Sequence, residues 1–164
     1  MSHLGPGAVA PEFSLPRLGG GLIQLDELLA VGPTWLFFLK SNCPTCKLTA
    51  PYLQRFHEEL GDRPGAIVAI MEDEPEAAAA FAATYGWTLP VGIEESPWPV
   101  SSSYRLFSVP TNFVIGTHGI MTRVGAGFHR TELNETAREL LHGAVNREYE
   151  LIRAGDGAPE FKPG

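Results

Sequence analysis

The chain has 164 residues, 44% of them hydrophobic and 19% charged, with a formal net charge of −7. That is one domain's length with enough apolar residues for a sizeable core, and the acidic balance without any Lys/Arg run argues against nucleic-acid binding. The longest apolar run, Trp35–Leu39, is far too short to cross a bilayer. The opening MSHLGPGAVAPEF has neither the basic nor the apolar region of a signal peptide, so the expected setting is cytoplasmic, or extracytoplasmic if a leader precedes these residues.

In chain order, Gly7–Leu15 and Leu22–Leu25 read as two short extended segments around the turn Gly19-Gly20-Gly21. Asp26 is the expected cap of a short helix carrying Leu28 and Leu29, ended by Gly32-Pro33. Trp35–Leu39 is uninterruptedly apolar, as a central strand covered on both faces would be. The pattern then switches to helical spacing, with Ala50, Leu53, Phe56 and Leu60 on one side. Gly61–Gly65 is a turn, and Ala66–Met71 a second buried strand. Asp73 and Glu76 have capping-box spacing for a helix running to Tyr85 and stopped by Gly86, which makes Glu72-Asp73-Glu74 a solvated helix start.

Leu89-Pro90-Val91 opens a short strand, Ser96–Pro99 is a loop, and Ser101–Phe107 a short helix. Asn112–Ile115 and Ile120–Gly125 flank Thr117-His118-Gly119 as a β-hairpin. Thr131 is the expected cap of the last helix, with an apolar stripe of Leu133, Ala137, Leu140, Leu141, Ala144 and Val145. Residues 154–164 are rich in Gly and Pro and are expected to form a mobile tail. The whole of 1–164 reads as one domain with its core over about 4–150, without repeats or linkers.

The two cysteines of the chain lie between the first central strand and the long helix, in Cys43-Pro44-Thr45-Cys46. A Cys-x-x-Cys at a strand-to-helix junction marks a thiol–disulfide redox centre. Cys43 would fall at a helix N-terminus, where unpaired N–H groups and the macrodipole favour the thiolate, the nucleophilic form. Pro44 suits the first turn because its missing N–H costs nothing there. Cys46, one turn deeper, would be shielded. A zinc site would need four ligands, and no second close pair exists; the five histidines, His3, His57, His118, His129 and His142, form no ligand-spaced pair, so no metal is expected. Trp87 and Trp98 suit either a substrate groove or plain packing.

CPTCKLTAP, with Lys47 directly after the second cysteine and Pro51 in the helix, resembles the active-site helix of the thioredoxin superfamily. Ser108-Val109-Pro110-Thr111 resembles that superfamily's cis-proline step, which faces the cysteines. Gly-x-x-Ala-Pro-x-Phe-x-Leu at Gly7–Leu15 is similar to the start of its redoxin branch, which includes peroxiredoxins and TlpA-like disulfide reductases. The resemblance implies an α/β, thioredoxin-like fold. In it a central mixed β-sheet is flanked by helices, with an N-terminal β-hairpin extension and a βα insert before Pro110. It implies that Cys43 and Cys46 are catalytic, that Pro44, Thr45, Lys47 and Pro110 support them, and that Val109 and Thr111 border the substrate. A histidine late in the chain, as His129 is, serves copper chaperones of this superfamily, but those use CxxxC.

The chain departs from the pattern in three places. Asn42 stands where thioredoxins place a tryptophan, Phe37 where they place a buried acid, and Thr49 where some extracytoplasmic reductases have a glutamate. The proton acceptor for Cys46 is therefore open between Lys40, water, Glu72 and Asp73.

Three functions are consistent with these residues. A thiol–disulfide oxidoreductase, working as a disulfide reductase, would need no cofactor beyond its own Cys43–Cys46 pair. Its substrate would be a disulfide-containing protein or small thiol, and an upstream dithiol would donate electrons. A thiol peroxidase would carry Pro-x-x-x-Thr-x-x-Cys, but three residues before Cys43 is Lys40, and three before Cys46 is Cys43; Arg105 or Arg123 could still stabilise a peroxide. A non-enzymatic binding module is the third, since fold does not fix function.

Overall fold

The computed structural model describes residues 3–61, 63, 65–141 and 149–164. The first half contains β1 (Ser14–Pro16), β2 (Leu22–Gln24), α1 (Leu25–Val31), β3 (Thr34–Leu39), α2 (Pro44–Leu60), β4 (Ile67–Met71) and α3 (Pro75–Thr84). The second contains β5 (Val91–Ile93), α4 (Pro99–Ser103), β6 (Thr111–Ile115), β7 (Met121–Ala126), β8 (Phe128–His129), α5 (Arg130–Leu140), a 3₁₀ turn at Ala154–Asp156, and β9 (Phe161–Lys162).

The central sheet has the order β5-β4-β3-β6-β7. β3 pairs in parallel with β4 and antiparallel with β6, so the sheet is mixed, as expected. All six residues of β3 are buried because successive side chains point to opposite, covered faces. Trp35, Phe37 and Leu39 pack with Ala50, Leu53 and Phe56 of α2, Phe81 of α3 and Leu133 of α5. Leu36 and Phe38 face the other layer, with Leu15, Ile23, Leu29 and Tyr104. The expected N-terminal hairpin is present as β1–β2, and β5 with α4 forms the insert before Pro110. Among the described residues no helix is long and apolar enough to cross a membrane.

Several local expectations are corrected. The cap position of α1 is Gln24, and Asp26 sits inside the first turn. At α3 the cap position is Glu74, with Pro75 starting the helix; Asp73 is drawn away because its carboxylate takes Ser41 instead. The short helix is Pro99–Ser103, earlier than read from Ser101–Phe107, because buried Glu94 accepts from the backbone of Val100 and Ser101 and fixes the start there. His129, not Thr131, stands at the α5 cap, its Nδ1 accepting from Glu132 N at 3.5 Å, while Thr131 donates to Glu160. The expected stripe of α5 continues through Leu133, Ala137 and Leu141; His142, Ala144 and Val145 lie outside the described residues.

The largest correction is the tail. Residues 154–164 are placed, not free. Asp156 pairs with Arg55 at 2.7 Å, Glu160 O accepts from Arg130 N at 2.9 Å, and β9 pairs antiparallel with β8. Gly and Pro make up five of its eleven residues, but Asp156, Glu160 and the β9 pairing decide its course.

Candidate active site

The site is built at the C-terminal end of β3. Cys43 takes the N-cap position of α2 with extended backbone, φ −98° and ψ 118°, and Pro44 occupies the first helical position. Its sulfur accepts from Cys46 N at 3.2 Å, so the thiol satisfies one of the helix's unpaired donors. Cys43 is part-exposed and Cys46 is fully buried, and both are free thiols. The helix carries on through Pro51 to Leu60.

Cys46 Sγ accepts from Lys40 N at 3.5 Å. Its thiol is pushed far up, first by burial, then by the hydrogen bond to Cys43 and by the negative charges of Cys43 and Glu72; the Lys40 N–H opposes this. Glu72 N donates to Leu39 O at 2.8 Å, which sets Glu72 beside the Leu39-Lys40 bend. Burial raises the Glu72 carboxyl above its usual range, Glu94 and Asp73 add to the rise, and Ser101 and Lys40 counter it. Lys40 Nζ lies 4.6 Å from the centre of the Trp98 ring. Trp87, by contrast, is tied into the core, its Nε1 donating to Ala50 O at 2.9 Å.

The Val109–Pro110 peptide is cis, as is Ser96–Pro97. Pro110 faces the cysteines through its neighbour: Cys43 Sγ donates to Val109 O at 3.4 Å. Thr111 is fully buried and its hydroxyl donates to Ser108 O at 2.8 Å, so its side chain shapes the proline loop and does not border the groove. Thr45 is 3% exposed, and its hydroxyl donates to Pro163 O at 2.6 Å. Lys47 is exposed and lines a hollow of about 380 Å³ with Pro51, Arg55 and Asp156. His129 stands edge-on to Phe161, and no metal-holding cluster occurs among the described residues. Arg123 pairs with Glu135 and Glu139 against α5, and no arginine hydrogen-bonds to Cys43 among the described residues.

Sequence reasoning missed two features of the site. Buried Glu94, 2% exposed, binds Ser101 by both backbone and hydroxyl; the helix-start signal Ser96-Pro-Trp-Pro just after it could have suggested a capping acid. The tail against Thr45 carried no signal in its composition.

Residues 6–124 match the AhpC/TSA family. The thiol-disulfide oxidoreductase ResA of Halalkalibacterium halodurans is 29% identical over 136 residues, covering 82% of this chain and 76% of that protein. Among solved structures, a thiol:disulfide interchange protein from a Bacteroides species superposes with a TM-score of 0.74 at 18% identity, over 89% of this chain and 96% of that one. Peroxidoxin BcpB of Mycobacterium tuberculosis gives 0.72 at 23% identity, over 88% and 100%. At those identities the structural likenesses speak for the thioredoxin-like fold alone. The family match spans most of the domain, from ahead of the N-terminal hairpin through the cysteine pair and the cis-proline into β7, and on it the chain belongs to the AhpC/TSA family of redoxin-type oxidoreductases.

Proposed function

We propose that the chain is a disulfide reductase that works through a mixed disulfide at Cys43. The observation that supports it is the difference in depth between the two thiols, one part-exposed at a helix cap and the other fully buried one turn below. The Cys43 thiolate attacks one sulfur of a substrate disulfide. A Cys43–substrate S–S bond forms, the substrate's S–S bond breaks, and its other sulfur leaves as a thiolate that takes a proton. Cys46, once deprotonated, attacks the Cys43 sulfur and expels the second substrate thiolate. The substrate gains two electrons and the enzyme is left with a Cys43–Cys46 disulfide, which an upstream dithiol reduces. The pair needs no prosthetic group.

Pro44 and Thr45 shape the turn, Lys47 flanks it, and Val109 with Pro110 forms the wall against which the substrate sulfur is presented. We assign Glu72 as proton acceptor for Cys46. Its backbone is tied to Leu39, beside the Lys40 N–H that meets the Cys46 sulfur, whereas the Asp73 carboxylate is engaged by Ser41 and the Lys40 ammonium by Trp98. The substrate is a disulfide-containing protein or small thiol. Insulin reduction driven by dithiothreitol, run beside peroxide consumption, tests the reading: insulin should be reduced at a rate that dithiothreitol alone does not reach. Peroxide turnover without insulin reduction would overturn it in favour of a peroxidase.

A further inference from the structure

The last four residues of the sequence lie across the site. Phe161 and Lys162 pair with His129 and Phe128. Beyond that pairing, Pro163 O accepts the Thr45 hydroxyl at 2.6 Å. Gly164 approaches Val109 so closely that a Cβ on it would fall 2.1 Å from Val109 O and 3.3 Å from Pro110 N. That same carbonyl receives the Cys43 thiol. From the other side, Gly127, at φ +72°, leaves room that no other residue would: a Cβ there would stand 2.8 Å from Lys162 O and 3.2 Å from Pro163 Cα. Gly127 N in turn donates to Pro110 O at 2.8 Å, joining this wall to the cis-proline loop.

An extended backbone is thus threaded between the N-terminus of α2, the Val109–Pro110 step and β8. Strand addition of this kind holds a peptide by its main chain. The segment itself remains exposed from Phe161 to Gly164, and a stretch held by so few partners opens at low cost. It nonetheless stands where a substrate chain would lie to bring a sulfur onto Cys43, because it meets Val109, whose carbonyl receives that thiol, and Thr45 in the helix turn that the thiol caps.

Resting on the disulfide-reductase reading, we propose that residues Phe161–Gly164 are a resident occupant of the groove, and that the partner is an extended disulfide-bearing polypeptide that displaces them to reach Cys43. A tethered occupant competes at high effective concentration. It therefore raises the apparent KM in inverse proportion to the fraction of molecules with the groove open, and leaves the chemistry after displacement unchanged.

The test compares the full chain, a chain ending at Glu160, and Gly164→Val, which keeps the length and β9 but cannot seat its side chain against Val109. Three readouts are needed: KM and kcat for insulin reduction, the rate of Cys43 alkylation by iodoacetamide followed by mass spectrometry, and the effect of the free peptide Glu-Phe-Lys-Pro-Gly on the shortened chain. Both variants should show a KM lowered about three- to ten-fold, a smaller change in kcat, and faster alkylation. The peptide should restore the higher KM competitively and slow alkylation. Unchanged KM and alkylation in both variants would overturn the proposal, as would a KM that rises in both, since the tail would then be part of the partner's binding wall. Should insulin reduction be absent in all three forms, the reductase reading fails by itself; alkylation and peptide protection still decide whether the tail occupies the groove. If the shortened chain does not fold, Gly164→Val decides.

Discussion

Asp73 reaches back across the end of the sheet to Ser41, its carboxylate accepting the Ser41 backbone N–H at 2.9 Å and the hydroxyl at 2.5 Å. Ser41 is two residues before Cys43, so the exit of β4 fixes the loop that leads to that thiol. Charge-assisted bonds of this kind are the strong ones, though partial exposure reduces what they contribute. Asp73→Ala should cost about 1–2 kcal/mol in denaturant unfolding and lower kcat/KM for disulfide reduction several-fold. Asp73→Asn, which can keep one acceptor, should retain more of both. Unaltered kcat/KM in Asp73→Ala would show that the loop holds its shape without the clamp.

Asn134 supports the fold at a distance from the site. Its side chain donates to Ile152 O at 3.0 Å and accepts from Ile152 N at 2.7 Å, stitching α5 to the segment that leads into the tail. Both partners are buried, so removal leaves two backbone groups unsatisfied. Asn134→Ala should destabilise by about 2–4 kcal/mol, read as a drop in denaturation midpoint with an unchanged m-value. A loss below about 0.5 kcal/mol would mean that water replaces the amide, as it does where a polar site is roomy.

The sheet and its two layers were legible because the buried strands carry the signal themselves. Trp35–Leu39 and Ala66–Met71 are apolar without interruption, and such runs suit strands covered on both faces. The place of the cysteine pair was legible because Cys-x-x-Cys follows a buried strand and opens a helix whose first position suits Pro44. Caps were read less well. Asp73 and Thr131 have good capping chemistry, but distant partners, Ser41 and Glu160, outcompete the local helix ends. The tail was misread because composition reports average stiffness and says nothing of three anchors spread over 154–164. Thr111 was misread because strand pairing turns its side chain into the loop.

The pH dependence should divide into two effects at Glu72. Burial raises its carboxyl, so the folded chain holds this proton more tightly than the unfolded one. The stabilisation is then complete below the unfolded value, around 4.3, and is lost as pH rises through the folded one. Glu72→Gln should accordingly raise stability at pH 7 and change it little at pH 4. For catalysis the direction is opposite. Removing the charge relieves the Cys46 thiol, but in the proposed mechanism it also removes the proton acceptor. Release of the mixed disulfide by Cys46 should rise steeply with pH in the native chain, and slow at pH 7 in Glu72→Gln. Faster release in the variant would show that Glu72 acts by its field alone and would remove it as the acceptor.

The redox pair should be reducing rather than strongly oxidising. Pro44-Thr45 places no cation between the cysteines, and Thr45 spends its hydroxyl on Pro163. The helix terminus alone favours a thiolate by at most ~1–2 kcal/mol, whereas a strong oxidant needs its reduced form stabilised far more. A titration against glutathione should place the pair well below about −120 mV, the value of a strongly oxidising reference couple. Thr45→His should move it in the oxidising direction. A native value near that reference would contradict the reducing assignment.

The order of the two thiols can be tested by trapping. Cys43 is part-exposed and Cys46 fully buried, and the proposed mechanism accordingly gives attack on a substrate disulfide to Cys43 and release to Cys46. Cys46→Ser leaves attack intact and blocks release. It should accumulate covalent mixed disulfides with protein partners, dissolved by reductant and visible on non-reducing electrophoresis. Cys43→Ser should accumulate far fewer, because its remaining thiol is shielded and pushed up by burial. A peroxidase using Cys43 would respond to peroxide instead, building up sulfenic acid at Cys43 once Cys46 is gone. A binding module would hold its partners without a covalent bond in either variant. Mass spectrometry of partners captured from cell extract separates these outcomes. If Cys46→Ser captures no more disulfide-linked protein than Cys43→Ser, Cys43 is not the attacking thiol.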